Sequence, residues 1–383
     1  MERCHKRNIG RILGLVVLLV AVVLTGTGCV SGLYPTGWSG GAVSGDTLYV
    51  GSKEGKLVAV NLSDTSRQWS EALKEPQQGT GFGCLPAGGG CSEQAPGVAI
   101  YGTPVVDGGL VYFGAYNGKI YAFNAETLAL RWLYPREDYL EPIVGGAAVA
   151  QGKLIIGDSD GRVYALDAAT GDPIWQYDTG DRVWSTPVVV GDTVYLGSFD
   201  HSLYALNAAD GKLRWSFPTE GAIVASPLVD GDTVYIGSFD RHLYAVNAAD
   251  GSLKWSFEGG NWFWAQPVIS GQTVYAGSMD GKLYALDAAS GQKITEFDVD
   301  SPVSSTPVTL PGAVIFASKD GLLYLINTSN NAMRQIADVG AEVLGPLTVS
   351  GGVVYIHTQD LTMRRVNADT GAAMTAISLE SSK

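Results

Sequence analysis

The chain has 383 residues, 50 of them glycine, with 46% hydrophobic and 16% charged residues and a formal net charge of −13. The apolar and aromatic content excludes a disordered chain, glycines without a third-position rhythm exclude a collagen, and the acidic balance excludes a nucleic-acid binder, because such a surface repels phosphate. What is left is a turn-rich, Val- and Tyr-rich globular chain, a composition that favours β-structure.

Residues 1–28 read as an export signal. Arg3, Lys6, Arg7 and Arg11 precede an uncharged run from Ile12 to Leu24, which fits a signal core of roughly 7–15 residues and falls short of the roughly 20 needed to span a bilayer. The string Leu24-Thr25-Gly26-Thr27-Gly28-Cys29 resembles a bacterial lipobox, with Gly26 where a leucine is usual. Cys29 is therefore the expected lipidation site, residues 29–36 a short tether, and an uncleaved anchor or plain secretion the competing readings. Cleavage would remove four basic residues and one acid and take the formal charge from −13 to −16. Attachment to a membrane would then come from acyl chains and not from a basic patch.

The folded region is expected from residue 37 to residue 383. Its first unit, marked by Val58 and Asn61, is followed by a Gly-rich insertion at 70–98 that holds Cys84 and Cys91. Outside the cytosol these two thiols can close a small loop as a disulfide, which is favoured over free thiols or a zinc site because no further Cys or His lies near them.

Beyond the insertion the sequence repeats itself. Residues 193–215 recur almost intact at 233–255, and the tyrosine of a Leu-Tyr-Ala step falls at Tyr121, Tyr164, Tyr204, Tyr244, Tyr284 and Tyr324, with spacings of 43, 40, 40, 40 and 40. The same frame reaches Arg364, which makes eight copies in all, the last confirmed by Asn367-Ala368-Asp369-Thr370-Gly371. Each copy reads as four strands. In the fourth these are an inner segment Val183 to Val190, then Val194 to Ser198, Leu203 to Asn207 and Leu213 to Phe217, separated by Gly-Asp and Asp-Gly turns that supply φ > 0. A period near 40 with four strands per unit is the arithmetic of a β-propeller, so the fold class expected is all-β: an eight-bladed β-propeller of four-stranded antiparallel blades.

The recurring Leu-Tyr-Ala-Leu-Asp-Ala-x-Thr-Gly string with its following Trp resembles the repeat of the pyrroloquinoline-quinone (PQQ) β-propellers, a quinoprotein-like family that also includes the non-catalytic BamB-like lipoproteins of outer-membrane assembly. The resemblance covers nearly the whole chain after about residue 37. It implies that Trp69, Trp132, Trp175, Trp215 and Trp255, each eight residues after an Asn or Asp, dock one blade on the next by burying a large ring whose N–H finds a backbone acceptor. The corresponding positions by count in the last three copies are Thr295, Gln335 and Thr375, and those junctions are expected to be weaker.

Catalytic chemistry is sparse. His201 and His242 lie in equivalent turns without a carboxylate cluster, and the recurring Asp at 160, 200, 240, 280, 320 and 360 fits hairpin turns, where Asp bonds its own backbone. No nucleophile-elbow, zincin or phosphate-loop string is present. The resemblance leaves a PQQ-dependent dehydrogenase with calcium as an alternative, but the adjacent cysteines and assignable acidic calcium ligands of those enzymes are missing; no catalytic residue, cofactor or metal ligand is assigned. Aligning the inner segments places Trp38, Tyr101, Val144, Trp184, Val224, Trp264, Ser304 and Leu344 in one ring position, with Trp262 and Phe263 nearby. Trp38, Tyr101, Trp184, Trp262 and Trp264 are thus candidate partner-binding residues, against a competing reading as blade packing. The insertion and residues 134–141 are further recognition candidates.

The function expected is that of a non-catalytic, exported propeller held at the cell envelope by lipid, a monomer within a larger complex. It would bind envelope or membrane proteins and assist outer-membrane protein assembly where the cell has an outer membrane. Otherwise it would sit on the outer face of the cell membrane. A small-ligand or carbohydrate-binding sensor is the remaining alternative.

Overall fold

The computed structural model describes residues 39–52, 55–73 and 98–380. The signal, the tether with Cys29, Trp38, and the part of the insertion with Cys84 and Cys91 lie outside the described residues. Eight four-stranded antiparallel sheets follow one another, the first from Ala42 to Trp69 and the last from Thr348 to Ser378, and each takes its strands in sequence order. They are the blades of an eight-bladed β-propeller.

The hydrophobic pattern explains why blades stack. In blade 4 the strand Thr193–Gly197 is buried along its whole length, while the outer strand Leu213–Pro218 keeps only Trp215 fully buried. Strands in the middle of a blade are covered on both faces by neighbouring blades and carry few charges, which accounts for the low charged fraction of the chain. One core cluster lies at each junction: Tyr195, Leu203 and Trp215 of blade 4 pack against Ile223, Val234 and Ile236 of blade 5.

Tryptophans reinforce four junctions. The Nε1 groups of Trp132, Trp175, Trp215 and Trp255 donate to the carbonyls of Ala168, Ala208, Ala248 and Ala288 in the next blade at 3.0–3.1 Å. A β-bulge precedes each of them and aims the ring, since Trp215 pairs with Ala205 and Trp255 with Ala245 across the irregularity. Trp69 differs. Blade 1 has no bulge in its outer pair, so Trp69 faces Val58 and not Ala59, and its buried Nε1 has no partner. The bulge also moves in the last two blades, where Arg334 faces Leu325 and Met374 faces Arg365. Counting eight from the Asn to reach Gln335 and Thr375 therefore misses the structural position by one residue.

A second size relation runs around the ring. The glycines at 51, 114, 157, 197, 237 and 277 lie at or next to the ends of their strands with no room for a Cβ, because Ile100, Ile143, Val183, Ile223, Phe263 and Val303 of the following blade occupy that space. At the closing junction His357 stands in the glycine column. His357 is buried and its Nδ1 lies 2.8 Å from Ser39 O. Among the described residues no sheet is shared between the first and last blades; the ring closes through Leu48, Val50 and Val58 packed on Tyr355, Met363 and Ile377, and through Thr348 Oγ1, which donates to Gly41 O at 2.7 Å.

Candidate functional site: the channel and its aromatic mouth

The inner segments are shorter strands than their sequence suggests. In blade 4 only Val188–Val190 pairs as strand, whereas Val183 to Pro187, bent at Ser185, makes no ladder. Pro187 has no N–H to give a ladder, and Thr186 spends its backbone N–H on Ser226 Oγ of the next blade at 3.1 Å.

These inner segments line a central cavity of about 110 Å³ with two layers of side chains. The outer layer carries Tyr101, Trp184, Trp264 and Leu344 from the even-numbered blades, with the smaller Val144, Val224 and Ser304 between them. Two residues further on, the inner layer holds Thr103, Thr186, Ser226, Gln266 and Thr306. Three of its hydroxyls accept a backbone N–H from the preceding blade: Thr103 from Gly40 at 3.1 Å, Thr186 from Gly146 at 3.0 Å, and Ser226 from Thr186. Among the described residues, no charged side chain lines the cavity. The Tyr101 hydroxyl is pushed up to about 12, chiefly by burial and then by Tyr116, and so stays a neutral donor.

At the mouth the rings of blades 4, 5 and 6 form one belt. Trp184 meets Phe199 edge-on at 4.7 Å, Phe199 meets Phe239 at 6.3 Å, and Phe239 is stacked between Trp262 at 4.6 Å and Trp264 at 5.3 Å. Trp184 is fixed further by its Nε1 bond to Ser159 Oγ at 3.0 Å. Trp262 is 44% exposed despite being stacked. A rigid, exposed indole loses little side-chain entropy when a partner covers it, which is the property of an interface anchor. Among the sequence candidates, Tyr101, Trp184 and Trp264 thus sit in the channel and Trp262 on the surface beside it. Phe199 and Phe239, which join them, were not singled out from the sequence; their shared place before the recurring Asp was the available signal.

The recurring Asp residues build the turns around this mouth. Asp200 Oδ1 accepts Ser202 N at 3.0 Å, and its Oδ2 accepts both Tyr204 OH and Gly180 N at 2.6 Å. Gly180 belongs to the connection entering the blade, so one carboxylate ties turn, strand and connection together. The same pattern holds Tyr244 on Asp240 and Tyr284 on Asp280. Burial, reinforced by the carboxylate, raises the Tyr204 hydroxyl above its ordinary value and keeps it a donor. In blade 3, Asp158 stands where blades 1 and 4 to 7 have serine and takes the Tyr164 hydroxyl instead, at 3.0 Å; its own pKa is raised by burial.

His201 is exposed with φ of 71°, and no group of three or more metal-ligating side chains occurs among the described residues. The segment 134–141 is braced by Lys119, whose Nζ donates to Pro135 O at 2.7 Å and lies 4.4 Å from the centre of the Tyr139 ring. Tyr139 is half exposed.

Comparison with known proteins adds relatives to this geometry. The family model described as "Beta-alanine-activating enzyme, beta-propeller" matches residues 141–382, and that described as "Outer membrane protein assembly factor BamB" matches residues 31–201. Outer membrane protein assembly factor BamB of Moranella endobia is 31% identical over 183 residues, 44% of this chain and 41% of that protein. The quinohemoprotein alcohol dehydrogenase of Comamonas testosteroni is 28% identical over 136 residues, 33% of this chain and 16% of that enzyme. The chain spans about two fifths of the length of the curated BamB relatives it matches. The crystal structure of BamB from Moraxella catarrhalis superposes with a TM-score of 0.66 at 20% identity, covering 84% of this chain and 91% of that one, a likeness of fold.

Proposed function

We propose that this chain, which belongs to the β-propeller family described as "Beta-alanine-activating enzyme, beta-propeller" and matches the BamB family model over residues 31–201, is a non-catalytic scaffold that binds partner proteins at the cell envelope and aids outer-membrane protein assembly. The observation that carries this reading is the aromatic belt. Trp262 is stacked on Phe239 and yet 44% exposed, so the blades hold an apolar anchor open to solvent at a cost that a partner would relieve. Export and lipidation at Cys29 complete the proposal and place the acidic propeller at the membrane surface through acyl chains.

The quinoprotein alternative meets a lining that does not fit it. A quinone bearing carboxylates with a calcium ion calls for acidic oxygen ligands and cationic partners. The cavity offers one amide, Gln266, whose Nε2 already donates to Pro227 O at 2.9 Å. No reaction step is derived for this chain.

The test is capture of partners from host membranes by the anchored protein, compared with Trp262→Ala and with Cys29→Ala. Loss of specific partners in the first and release from membranes in the second are expected. Robust dye reduction by protein incubated with PQQ, calcium and an alcohol or sugar would instead establish an enzyme.

A further inference from the structure

We propose that the exposed ring of Trp262 receives an arginine side chain from a cationic segment of a partner protein, its guanidinium stacking on the indole and pairing with a carboxylate beside it. The inference rests on the aromatic belt being a partner surface and names the chemistry that the partner must bring.

Three observations carry it, the first being how Trp262 is held. Phe239 stacks on its ring at 4.6 Å with an interplanar angle of 12°, and 44% of the residue remains in solvent. Trp262 O accepts Met279 N at 2.9 Å, and Gly260 N donates to Asp280 Oδ2 at 2.8 Å. The indole is thus fixed between the Phe239-Asp240 and Met279-Asp280 turns, and a partner has little left to order.

The second is charge. In the turns and connections of this face from Asp181 to Lys282, six carboxylates (Asp181, Asp200, Glu220, Asp240, Glu258 and Asp280) stand against three cations, Arg182, Arg241 and Lys282. Two of those cations are paired within the chain, Arg241 with Glu258 at 3.1 Å and Lys282 with Glu296 at 2.5 Å. Glu220 is exposed, and the bond from its N–H to Asp240 Oδ2 at 2.9 Å sets it beside the Phe239 turn. The next connection adds exposed Asp298 and Asp300. An anionic partner or an anionic lipid surface is repelled here, whereas a cation is drawn towards the rings.

The third is that the belt already takes a guanidinium of its own. Arg182 Cζ lies over the Phe199 ring, 5.8 Å from its centroid, while among the described residues no cation lies over Trp262. Indole attracts a cation more strongly than a phenyl ring does. Arginine suits the place better than lysine, because its planar group stacks on a ring and keeps its N–H fork free for a carboxylate such as Glu220.

The experiment titrates the full-length protein in zwitterionic detergent against fluorescent Ser/Leu peptides that carry arginine, lysine, citrulline or glutamate at the same positions, read by anisotropy. Citrulline keeps the planar group and removes the charge. The arginine peptide should saturate with a dissociation constant on the order of 100 μM, at least about tenfold tighter than the citrulline and glutamate peptides and about threefold tighter than the lysine peptide. Trp262→Ala should weaken arginine binding about tenfold, and Trp262→Phe and Glu220→Gln about threefold each, with melting temperatures little changed. Equal affinity for the arginine and citrulline peptides overturns the proposal, as does a Trp262→Ala protein that binds the arginine peptide like the parent. Trp262-dependent sedimentation of the Cys29→Ala protein with phosphatidylcholine–phosphatidylglycerol vesicles also overturns it, because the ring would then be a membrane seat. If Trp262→Ala loses its host partners while the peptides show no arginine preference, this inference alone falls. If Trp262→Ala keeps every host partner, the partner-surface reading falls and takes this inference with it.

Discussion

The indole of Trp215 lies against Gly251 of the following blade, so closely that a Cβ on Gly251 would come within 2.7 Å of the ring. Gly251 also has φ of 75°, so the absence of a side chain serves two purposes at once: the turn needs a left-handed residue and the neighbouring blade needs the space. Trp132 meets Gly171, Trp175 meets Gly211 and Trp255 meets Gly291 in the same way. Gly251→Ala should destabilise the domain by about 1–3 kcal/mol through strain and displacement of the ring, and Trp215→Ala by about 3–5 kcal/mol through the cavity it leaves. The double variant should cost clearly less than the sum, because the alanine at 251 then meets no ring. Urea unfolding of the three proteins checks this, and full additivity would disprove the lock.

The repeat made these junctions legible in the sequence, since period, turn glycines and tryptophans all recur at fixed separations. Counting along the chain failed where strand pairing, and not spacing, decides position. Trp69 has the same separation from its Asn as Trp215, yet without a bulge it faces Val58 and its Nε1 is unbonded. The ring position of Tyr101, Trp184 and Trp264 was readable from alignment. The hydroxyl layer beneath it was not, because Thr186 in a Thr-Pro pair reads only as a strand residue until several segments are brought around one axis. The exchange of His357 for glycine was visible as a break in a column, but its meaning required the following blade.

The turn carboxylates should prove structural in proportion to the bonds each makes. Tyr204→Phe removes one hydrogen bond to Asp200 and should cost about 1–2 kcal/mol. Asp200→Ala strands Tyr204 OH, Gly180 N and Ser202 N together and should cost about 2–4 kcal/mol, with Asp200→Asn between the two. Melting temperatures in that order are expected. A Tyr204→Phe protein less stable than Asp200→Ala would contradict the latch.

The belt should separate binding from stability. Trp262 stacks on Phe239 but is 44% exposed, so Trp262→Ala should change the melting temperature little while sharply reducing capture of partners. Phe239 is sandwiched between two rings, and Phe239→Ala should harm both. If Trp262→Ala retains every partner, the contact surface lies elsewhere, with 134–141 or the insertion at 70–98 the next segments to replace.

Acid should weaken the closing junction through His357. Its ring is buried and its Nδ1 donates to Ser39 O at 2.8 Å. Burial lowers its pKa from the ordinary 6.5, while the Ser39 carbonyl and the charge of Asp360 pull less strongly the other way. Asp360 is itself held below its ordinary pKa by Thr358 and Arg364, against the effect of burial, so it remains charged across the window that matters. Above pH 6.5 neither the folded nor the unfolded chain protonates this residue, and its contribution to stability is complete. As pH falls below 6.5 the unfolded chain takes up a proton that the buried imidazole does not, so stability declines until the lowered native pKa is reached, by at most about 1.4 kcal/mol per pH unit. As at the other blade junctions among the described residues, no sheet crosses this one, so no ladder of backbone bonds compensates. His357→Asn keeps an N–H donor without a titrating ring, so its melting temperature should fall less than that of the parent between about pH 7 and 5. Parallel pH profiles for the two proteins would show that His357 does not set the acid sensitivity of the closed ring.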